Sequence, residues 1–370
     1  MTRSLLIVFC LCFVVLFSVD SIAQDSKTGK DEIIRVDTQI VDVPVAVTNA
    51  KGAAVAGLKQ SNFVVYEDGK RQEIADFSAT AEPFEVALVL DTSGSTRNDL
   101  QLIQRAALDF INSLRPGDRV AIIAYNTSRD DKQMFHVSEV VSFLTGDRRA
   151  LGTAVDRVRT SNGTPYYDSL LQVVEKVFGA PSAAEFRGRR AIVALTDGVD
   201  STSAADFEAA KIELMRAGVI SFFIQVDTRD FFEEGLLGDC QSATKFSTAQ
   251  IRRYYRSIAA TRNMEKTFDF CKLGDFERLA ISKRLYEIAN TEMNDLAKIS
   301  GGSVFPVGDL SEARNAFKSV AEEIGTKYTI GYYPANDKKD GTYRKIKVEV
   351  VGVQKGATVR AREGYTAPIN

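Results

Sequence analysis

The fold of this chain is decided by residues 86–96, which read Val-Ala-Leu-Val-Leu-Asp-Thr-Ser-Gly-Ser-Thr. The apolar residues at the start of this stretch predict a β-strand that is buried on both faces, as in a parallel sheet covered by helices. An amphipathic helix pattern follows between Leu102 and Leu114. In sheets of this type ligands bind beyond the carboxyl ends of the strands, so the loop that begins at Asp91 is a candidate site.

The same alternation of strand and helix continues along the chain. Further buried strands are predicted at 120–124, 191–195 and 219–226, with helices between them at 147–160, 166–178 and 204–217. A short segment around His136, over residues 133–137, is expected to be an edge strand. This pattern predicts an α/β fold with a doubly wound, mostly parallel sheet.

The alternation is interrupted between residues 227 and 280. It then resumes with a helix over 285–299, a strand over 303–306 and a helix over 311–325. We therefore assign residues 84–326 to one α/β domain that carries an insertion at 227–280. Ten basic and four acidic residues lie between Lys245 and Arg284. Such a surface favours an acidic partner, although a solvated surface whose charge is offset elsewhere is the alternative.

The segments on either side of the α/β domain have strand patterns instead. Alternating valines from Val41 to Val47 and the hairpin signal at Glu67-Asp68-Gly69-Lys70 predict a β module over 32–80. Three strand patterns separated by turn residues predict a second β segment over 327–367. We expect the two segments to form one split β-sandwich. Two separate β modules, or strands added to the central sheet, are the alternatives.

The amino terminus predicts export. A basic start, an apolar run from Leu5 to Val19 and the small residues around Ala23 are typical of a signal peptide over 1–23, followed by a flexible lead-in over 24–31. A permanent membrane anchor is the alternative, and no membrane span is expected after cleavage. Export leads to the periplasm, the cell surface or the medium, where Cys240 and Cys271 either form a disulfide or remain buried thiols.

The net charge of −2 gives no reason to expect a nucleic-acid partner, and the sequence does not specify an oligomeric state. Asp168 and Asp200 are expected in the first turns of helices, where the helix dipole favours a carboxylate.

Oxygen-bearing side chains follow the predicted strands at three places. Asp91, Ser93 and Ser95 alternate in the first loop, Thr164 precedes a helix, and Asp197 follows the strand over 191–195. An oxygen-only ligand set with few carboxylates suits a hard divalent cation, Mg²⁺ first, with Mn²⁺ and Ca²⁺ as alternatives. Hydroxyl side chains before a helix are also common as N-caps, which is the other interpretation of the first loop.

The order Asp-x-Ser-x-Ser, Thr, Asp-Gly resembles the metal-ion-dependent adhesion site of von Willebrand factor A (VWA) domains. The resemblance implies that Ser93, Ser95 and Thr164 contact the metal directly or through one water, and that Asp91 and Asp197 act mainly through waters. It also implies that a carboxylate of a protein partner completes the coordination. The flanking segments, such as Phe63–Gly69 and Tyr328–Pro334, are similar to the secreted bacterial group called the VWFA-related Acidobacterial domain. Some relatives shift the last helix of the domain on binding, here the helix over 311–325.

Three functions are weighed on these residues. A secreted, metal-dependent, adhesion-type binding module is the first. A structural or assembly component of the cell envelope with a stabilising metal is the second. A metal-dependent phosphohydrolase is the weakest, because Ser93 stands where a second acid is expected two residues after Asp91 and no Ser-His-Asp set is available. We therefore expect no enzymatic activity.

Overall fold

The computed structural model describes residues 40–78, 83–94, 99–130, 133–183, 186, 188–258 and 266–369, without the side chains of 128–136. The predicted signal peptide and lead-in lie outside these ranges. Within these ranges no helix has the length and apolar character needed to cross a membrane.

The described residues form two β-sheet systems and a set of helices. The strands are β1 (Val41–Thr48), β2 (Phe63–Glu67), β3 (Lys70–Gln72), β4 (Ile74–Ser78), β5 (Glu85–Leu90), β6 (Arg119–Asp130), β7 (Gln133–Thr145), β8 (Arg190–Thr196), β9 (Ile220–Val226), β10 (Ser303–Val307), β11 (Tyr328–Tyr332), β12 (Tyr343–Val350), β13 (Thr358–Ala361) and β14 (Gly364–Thr366). The α-helices are α1 (Leu100–Ser113), α2 (Arg148–Arg157), α3 (Tyr166–Gln172), α4 (Phe207–Ala217), α5 (Arg229–Leu236), α6 (Thr248–Ser257), α7 (Asp275–Ser300) and α8 (Ala313–Gly325). A π turn over Val173–Val177 continues α3.

The central sheet has the strand order β10-β9-β8-β5-β6-β7. All neighbouring strands pair in parallel except β7, which pairs with β6 in the antiparallel direction and forms one edge. Successive residues of β5 face opposite cores: Val86, Leu88 and Leu90 pack with α1, α2 and α8, while Ala87 and Val89 pack with α3, α4 and α7. This two-sided burial explains the unbroken apolar run, and it confirms the predicted α/β fold and the edge strand around His136.

The flanking segments form one β-sandwich. One sheet has the order β13-β1-β11-β4 and the other β14-β12-β2-β3, and a single apolar core lies between them, with Val43, Val65, Tyr328 and Ile346 among its buried residues. Each sheet combines strands from before and after the α/β unit. The α/β unit is therefore inserted into a sandwich made by both ends of the described chain, and the two alternative arrangements do not occur.

A buried carboxylate joins the two sheets of this sandwich. Glu67, at the end of β2, is 3% exposed and accepts hydrogen bonds from the Tyr332 hydroxyl (2.7 Å) of the opposite sheet and from the Tyr365 hydroxyl (2.9 Å). The guanidinium of Arg344 lies 3.6 Å from its other oxygen. The charge of Glu67 is thus buried with an ionic partner and two hydroxyl donors, as a stable buried carboxylate requires.

The region predicted as an insertion is a small helical unit. It contains α5, α6 and the start of α7, with its own core that includes Leu236, Ile251, Tyr255 and Leu285. The helix expected over 285–299 begins earlier, at Asp275, so residues 275–280 belong to α7. Acidic residues in its first turn and a Glu277 side chain that accepts from the Gly274 amide (2.8 Å) support this earlier start, which the dense charge of the segment obscured.

Cys240 and Cys271, for which the sequence left two states open, are joined in a disulfide. The bond closes a loop of 31 residues across the helical insertion. Replacing both residues by alanine is expected to lower the free energy of unfolding by about 3–4 kcal/mol, because the open chain gains that much loop entropy when it unfolds. Urea unfolding of the chain and of the double variant measures this loss. In buffer with a thiol reductant the two proteins should unfold alike, and a difference that persists there would contradict the entropic explanation.

Candidate metal-binding site

Three loops meet at the carboxyl edge of the central sheet. The first begins at Asp91 after β5, the second runs from Ser161 to Pro165 before α3, and the third begins at Asp197 after β8. Because β5 and β8 are parallel neighbours, Asp91 and Asp197 leave the sheet at the same edge, and the Asp91 amide still donates to the Leu195 carbonyl (2.9 Å). The topology therefore gathers the loops that the sequence marked.

The carboxylate of Asp91 is held from two sides. One oxygen accepts a hydrogen bond from the Ser93 amide (3.0 Å), and the other accepts one from the Thr196 hydroxyl (2.7 Å). The Thr196 hydroxyl in turn accepts from the Gly198 amide (2.9 Å). Gly198 has a φ of 73°, and an added Cβ would lie 2.8 Å from the Met293 methyl group, so the Asp-Gly pair of this loop needs glycine. These bonds tie the first loop to the third.

Thr164 is attached to the same cluster by its backbone. The Thr164 amide donates to the Ser201 hydroxyl (2.9 Å), and its carbonyl accepts from the Ser201 amide (3.0 Å). The Ser161 amide donates to the Thr92 carbonyl (2.7 Å), which links the second loop to the first. None of the described residues hydrogen-bonds with the Thr164 hydroxyl, so this oxygen suits a ligand role.

Asp197 is held by a third pair of donors. One carboxylate oxygen accepts from the Val199 amide (2.9 Å) and the other from the Thr228 hydroxyl (2.5 Å). Thr228 shares a further hydrogen bond of 2.9 Å with the Tyr286 hydroxyl. Thr228 follows β9 at the start of the insertion, so the insertion contacts the candidate site directly.

Burial sets the electrostatics of the two carboxylates. Asp91, Ser93, Thr164 and Asp197 are 1%, 3%, 7% and 7% exposed. Loss of hydration raises the pKa of the Asp91 carboxyl, and it raises the pKa of Asp197 to about 7, to which the negative charge of Asp91 also contributes. A cation bound between the two carboxylates would offset the cost of ionising them.

Asp200 organises the edge without belonging to the predicted ligand set. The prediction that Asp200 lies in the first turn of a helix is wrong, because it lies in the loop after β8. Its side chain accepts a hydrogen bond from the Tyr166 amide (3.0 Å) at the start of α3. Asp168 lies in the first turn of α3, as expected, and accepts from the Ala204 and Ala205 amides (3.0 and 2.9 Å). These reciprocal bonds fasten the second loop to the third.

The structure brings Asp91, Ser93, Thr164 and Asp197 onto mutually hydrogen-bonded loops, while Ser95 lies outside the described residues. Sequence reasoning missed Thr196, Thr228 and Tyr286. The position of Thr196 at the end of a buried strand was a usable signal, but nothing in the sequence connects Thr228 or Tyr286 to this edge.

The donor chemistry fits a hard divalent cation. Two carboxylates and two hydroxyls are oxygen donors of the kind that Mg²⁺ takes. Among the described residues there is no group of three or more His, Cys, Asp or Glu side chains arranged to hold a metal.

Residues 86–199 match the family model of the von Willebrand factor type A domain, and this match includes all five predicted ligands. No curated protein matches the chain. The fold is similar to that of proximal thread matrix protein 1 from the mussel byssus, with 15% identity and a TM-score of 0.42 over 70% of this chain and 50% of that protein. The chain thus spans half the length of the mussel protein.

Two bacterial proteins are also similar. BatB from Bacteroides thetaiotaomicron has 14% identity and a TM-score of 0.40, over 65% of this chain and 98% of its own. A von Willebrand factor type A protein from Catenulispora acidiphila has 13% identity and a TM-score of 0.39, over 90% of this chain and 74% of its own. Domains of the matched family commonly mediate protein–protein interactions. Residues 86–199 of the α/β unit are therefore identified as a von Willebrand factor type A domain.

Proposed function

We propose that this chain is a secreted, metal-dependent protein-binding module. A divalent cation, Mg²⁺ first, is held by Asp91, Ser93, Ser95, Thr164 and Asp197 and attracts a carboxylate of a protein partner. The observation that carries the proposal is the hydrogen bonding between the three loops that bear these residues, at the carboxyl edge of a VWA sheet. The predicted signal peptide supports export, and the site of action is the periplasm, the cell surface or the medium.

The described side chains have distinct tasks in this proposal. Asp91 and Asp197 supply the negative charge that retains the cation, and their fixed hydrogen bonds keep the carboxylates in place before the cation arrives. Ser93 and Thr164 supply neutral oxygens. A bound dication supplies the positive charge that attracts an anionic group from outside the protein.

The helical insertion supports an acidic partner. Arg252 and Arg256 are exposed one turn apart on α6, and Arg253 of the same helix pairs with Glu292 and lies over the ring of Tyr167. Tyr167 lies in the first turn of α3, three residues after Thr164 of the second loop. A basic helix beside the metal edge raises the local concentration of an acidic partner.

A second candidate function has one specific observation in its favour. The four described ligand side chains are nearly fully buried, and a buried cation that only stabilises the loops would use the same residues. A metal that serves binding keeps coordination positions open to exchangeable water, whereas a purely structural metal is enclosed by protein ligands. Water exchange at the bound metal therefore separates the two candidates.

Titration calorimetry of MgCl₂ into the metal-free exported chain tests the site. We expect saturable binding to the wild type and at least a tenfold weaker affinity in the Ser93→Ala/Ser95→Ala variant, because two neutral oxygen ligands are removed. Ser113→Ala, whose hydroxyl bonds only within the end of α1, is the matched control and should bind like the wild type. Absence of saturable binding in the wild type would refute the proposed metal site.

Mn²⁺ replaces Mg²⁺ in the companion measurement, since its effect on water proton relaxation reports the water molecules bound to it. In the binding module, bound Mn²⁺ should enhance the relaxation rate, and acetate should reduce this enhancement by displacing a water. A relaxation rate that acetate leaves unchanged would favour the structural candidate.

A further inference from the structure

Asp197 is held by residues that lie beyond the stretch matched by the family model. The Thr228 hydroxyl donates to one oxygen of Asp197 (2.5 Å), and the Tyr286 hydroxyl lies 2.9 Å from the same Thr228 oxygen. Thr228 is the N-cap residue of α5, at the start of the insertion, and Tyr286 lies on α7. The matched stretch ends at residue 199, before both of them.

The direction of these two hydrogen bonds follows from the number of protons. A hydroxyl group has one hydrogen. When Asp197 is ionised, as a metal ligand is, its carboxylate has no hydrogen to give, and Thr228 uses its own hydrogen on it. The Tyr286 hydroxyl must therefore donate to Thr228. The order of donation is Tyr286 to Thr228 to Asp197, and each hydroxyl orients the next group.

Both donors to Asp197 are fixed by the core of the helical insertion. Val199, whose amide donates to one carboxylate oxygen, is itself a buried member of the core formed with Leu236, Tyr255 and Leu285. Thr228, the donor to the other oxygen, is 8% exposed and opens the helix that ends at Leu236. The orientation of Asp197 is thus set by packing within the insertion.

The insertion is itself fastened firmly to α7, which carries Tyr286. The buried guanidinium of Arg278 on α7 donates to the carbonyls of Leu236 (2.9 Å) and Gly238 (3.0 Å), just after α5. The disulfide between Cys240 and Cys271 joins the same two regions. Thr228 and Tyr286 are therefore held at a fixed separation.

We infer that Thr228 and Tyr286 are positioning residues of the metal site, which orient Asp197 and make the packing of the insertion a determinant of metal affinity. This inference rests on the proposed metal-binding function. Outer hydrogen-bond partners of metal ligands typically affect affinity by about 10–100-fold. The insertion, on this view, is part of the site and not an independent appendage of the sheet.

Calorimetric Mg²⁺ titration of three variants of the exported chain tests the inference. Thr228→Val keeps the shape and removes the hydroxyl, and we expect a Kd about 10–100-fold above that of the wild type. Thr228→Ser keeps the hydroxyl and should restore an affinity close to the wild type. Tyr286→Phe should raise the Kd by about tenfold, at the lower end of the same range. The matched control is Thr153→Val, whose hydroxyl bonds within α2, and its Kd should be unchanged.

The outcomes separate this inference from the proposed function. If the wild type binds Mg²⁺ and both Thr228→Val and Tyr286→Phe bind it equally well, the inference is overturned and the metal site stands. Equal loss in Thr228→Val and Thr228→Ser also overturns it, since the hydroxyl is then not responsible. A wild type that binds no Mg²⁺ overturns both. Unfolding midpoints in EDTA show whether each variant is folded, and Tyr286→Phe decides the matter if Thr228→Val is not.

Discussion

Asp91→Asn is expected to weaken Mg²⁺ binding strongly while leaving the metal-free fold intact. The asparagine oxygen still accepts from the Ser93 amide, and its amide group can donate to the Thr196 hydroxyl in place of the present bond. The variant therefore keeps the hydrogen bonds of the loop and loses only the charge. Since the charge is the main attraction for a dication, we expect the affinity to fall by about 100-fold or more, beyond what outer-shell changes cause.

The direction in which Asp91→Asn changes the free energy of unfolding can also be predicted. Burial raises the pKa of Asp91, which means that the ionised carboxylate costs free energy in the metal-free fold. Removing this charge should leave the metal-free variant at least as stable as the wild type. Mg²⁺ at about a hundred times its Kd should add about 2.7 kcal/mol to the free energy of unfolding of the wild type. It should add only about 0.4 kcal/mol or less to that of the variant, whose Kd is about 100-fold higher.

Urea unfolding with Mg²⁺ and with EDTA, followed by circular dichroism, measures both expectations. Asp156→Asn, on the exposed part of α2, is the matched control and should keep the Mg²⁺ effect. If Mg²⁺ stabilises Asp91→Asn as much as the wild type, the cation binds elsewhere. If the metal-free variant fails to fold, the carboxylate has a structural role that an amide cannot replace.

The second large effect is expected in the sandwich. Glu67→Ala removes the nearer carboxylate of the buried Arg344 guanidinium, which keeps Asp340 at 4.0 Å, and leaves the Tyr332 and Tyr365 hydroxyls without their acceptor. Breaking a buried ion pair from one side typically costs about 3–5 kcal/mol. We expect a loss of that size in the free energy of unfolding, measured by urea unfolding of the exported chain.

Two companion variants make this prediction specific. Glu67→Gln keeps an acceptor for the hydroxyls and loses the charge, so its loss should be smaller than that of Glu67→Ala. Glu73→Ala, at an exposed position between β3 and β4, should change the stability by less than about 0.5 kcal/mol. A loss of under about 1 kcal/mol for Glu67→Ala would mean that water replaces the carboxylate between the sheets.

The central sheet could be predicted from the sequence because its strands are buried on both faces. Val86–Leu90 and Ala191–Leu195 are unbroken apolar runs, and the topology of parallel strands then fixes where Asp91 and Asp197 lie. The candidate ligands follow from local order along the chain, which a sequence displays directly. For this reason the α/β fold and the edge strand could be predicted from the sequence.

The helical insertion could not be predicted in the same way. Its helices are short and rich in charge, and its core is assembled from residues far apart, such as Val199, Phe246 and Ile281. The contact between Thr228 and Asp197 depends on that core, and no local pattern encodes it. The state of Cys240 and Cys271 could not be predicted either, because the distance between two cysteines is a property of the fold.

The split sandwich has a consequence for the order in which the chain is made. Strand β1 pairs with β11 and β13 and with no other strand among the described residues, so the hydrogen-bonding groups of its backbone stay without strand partners until residues from 328 onward have been synthesised. The VWA unit in between has its own core and can fold first. Strand β1 is therefore made before its partners β11 and β13. Until those strands are made, Val41–Thr48 is open to pairing with strands of other chains.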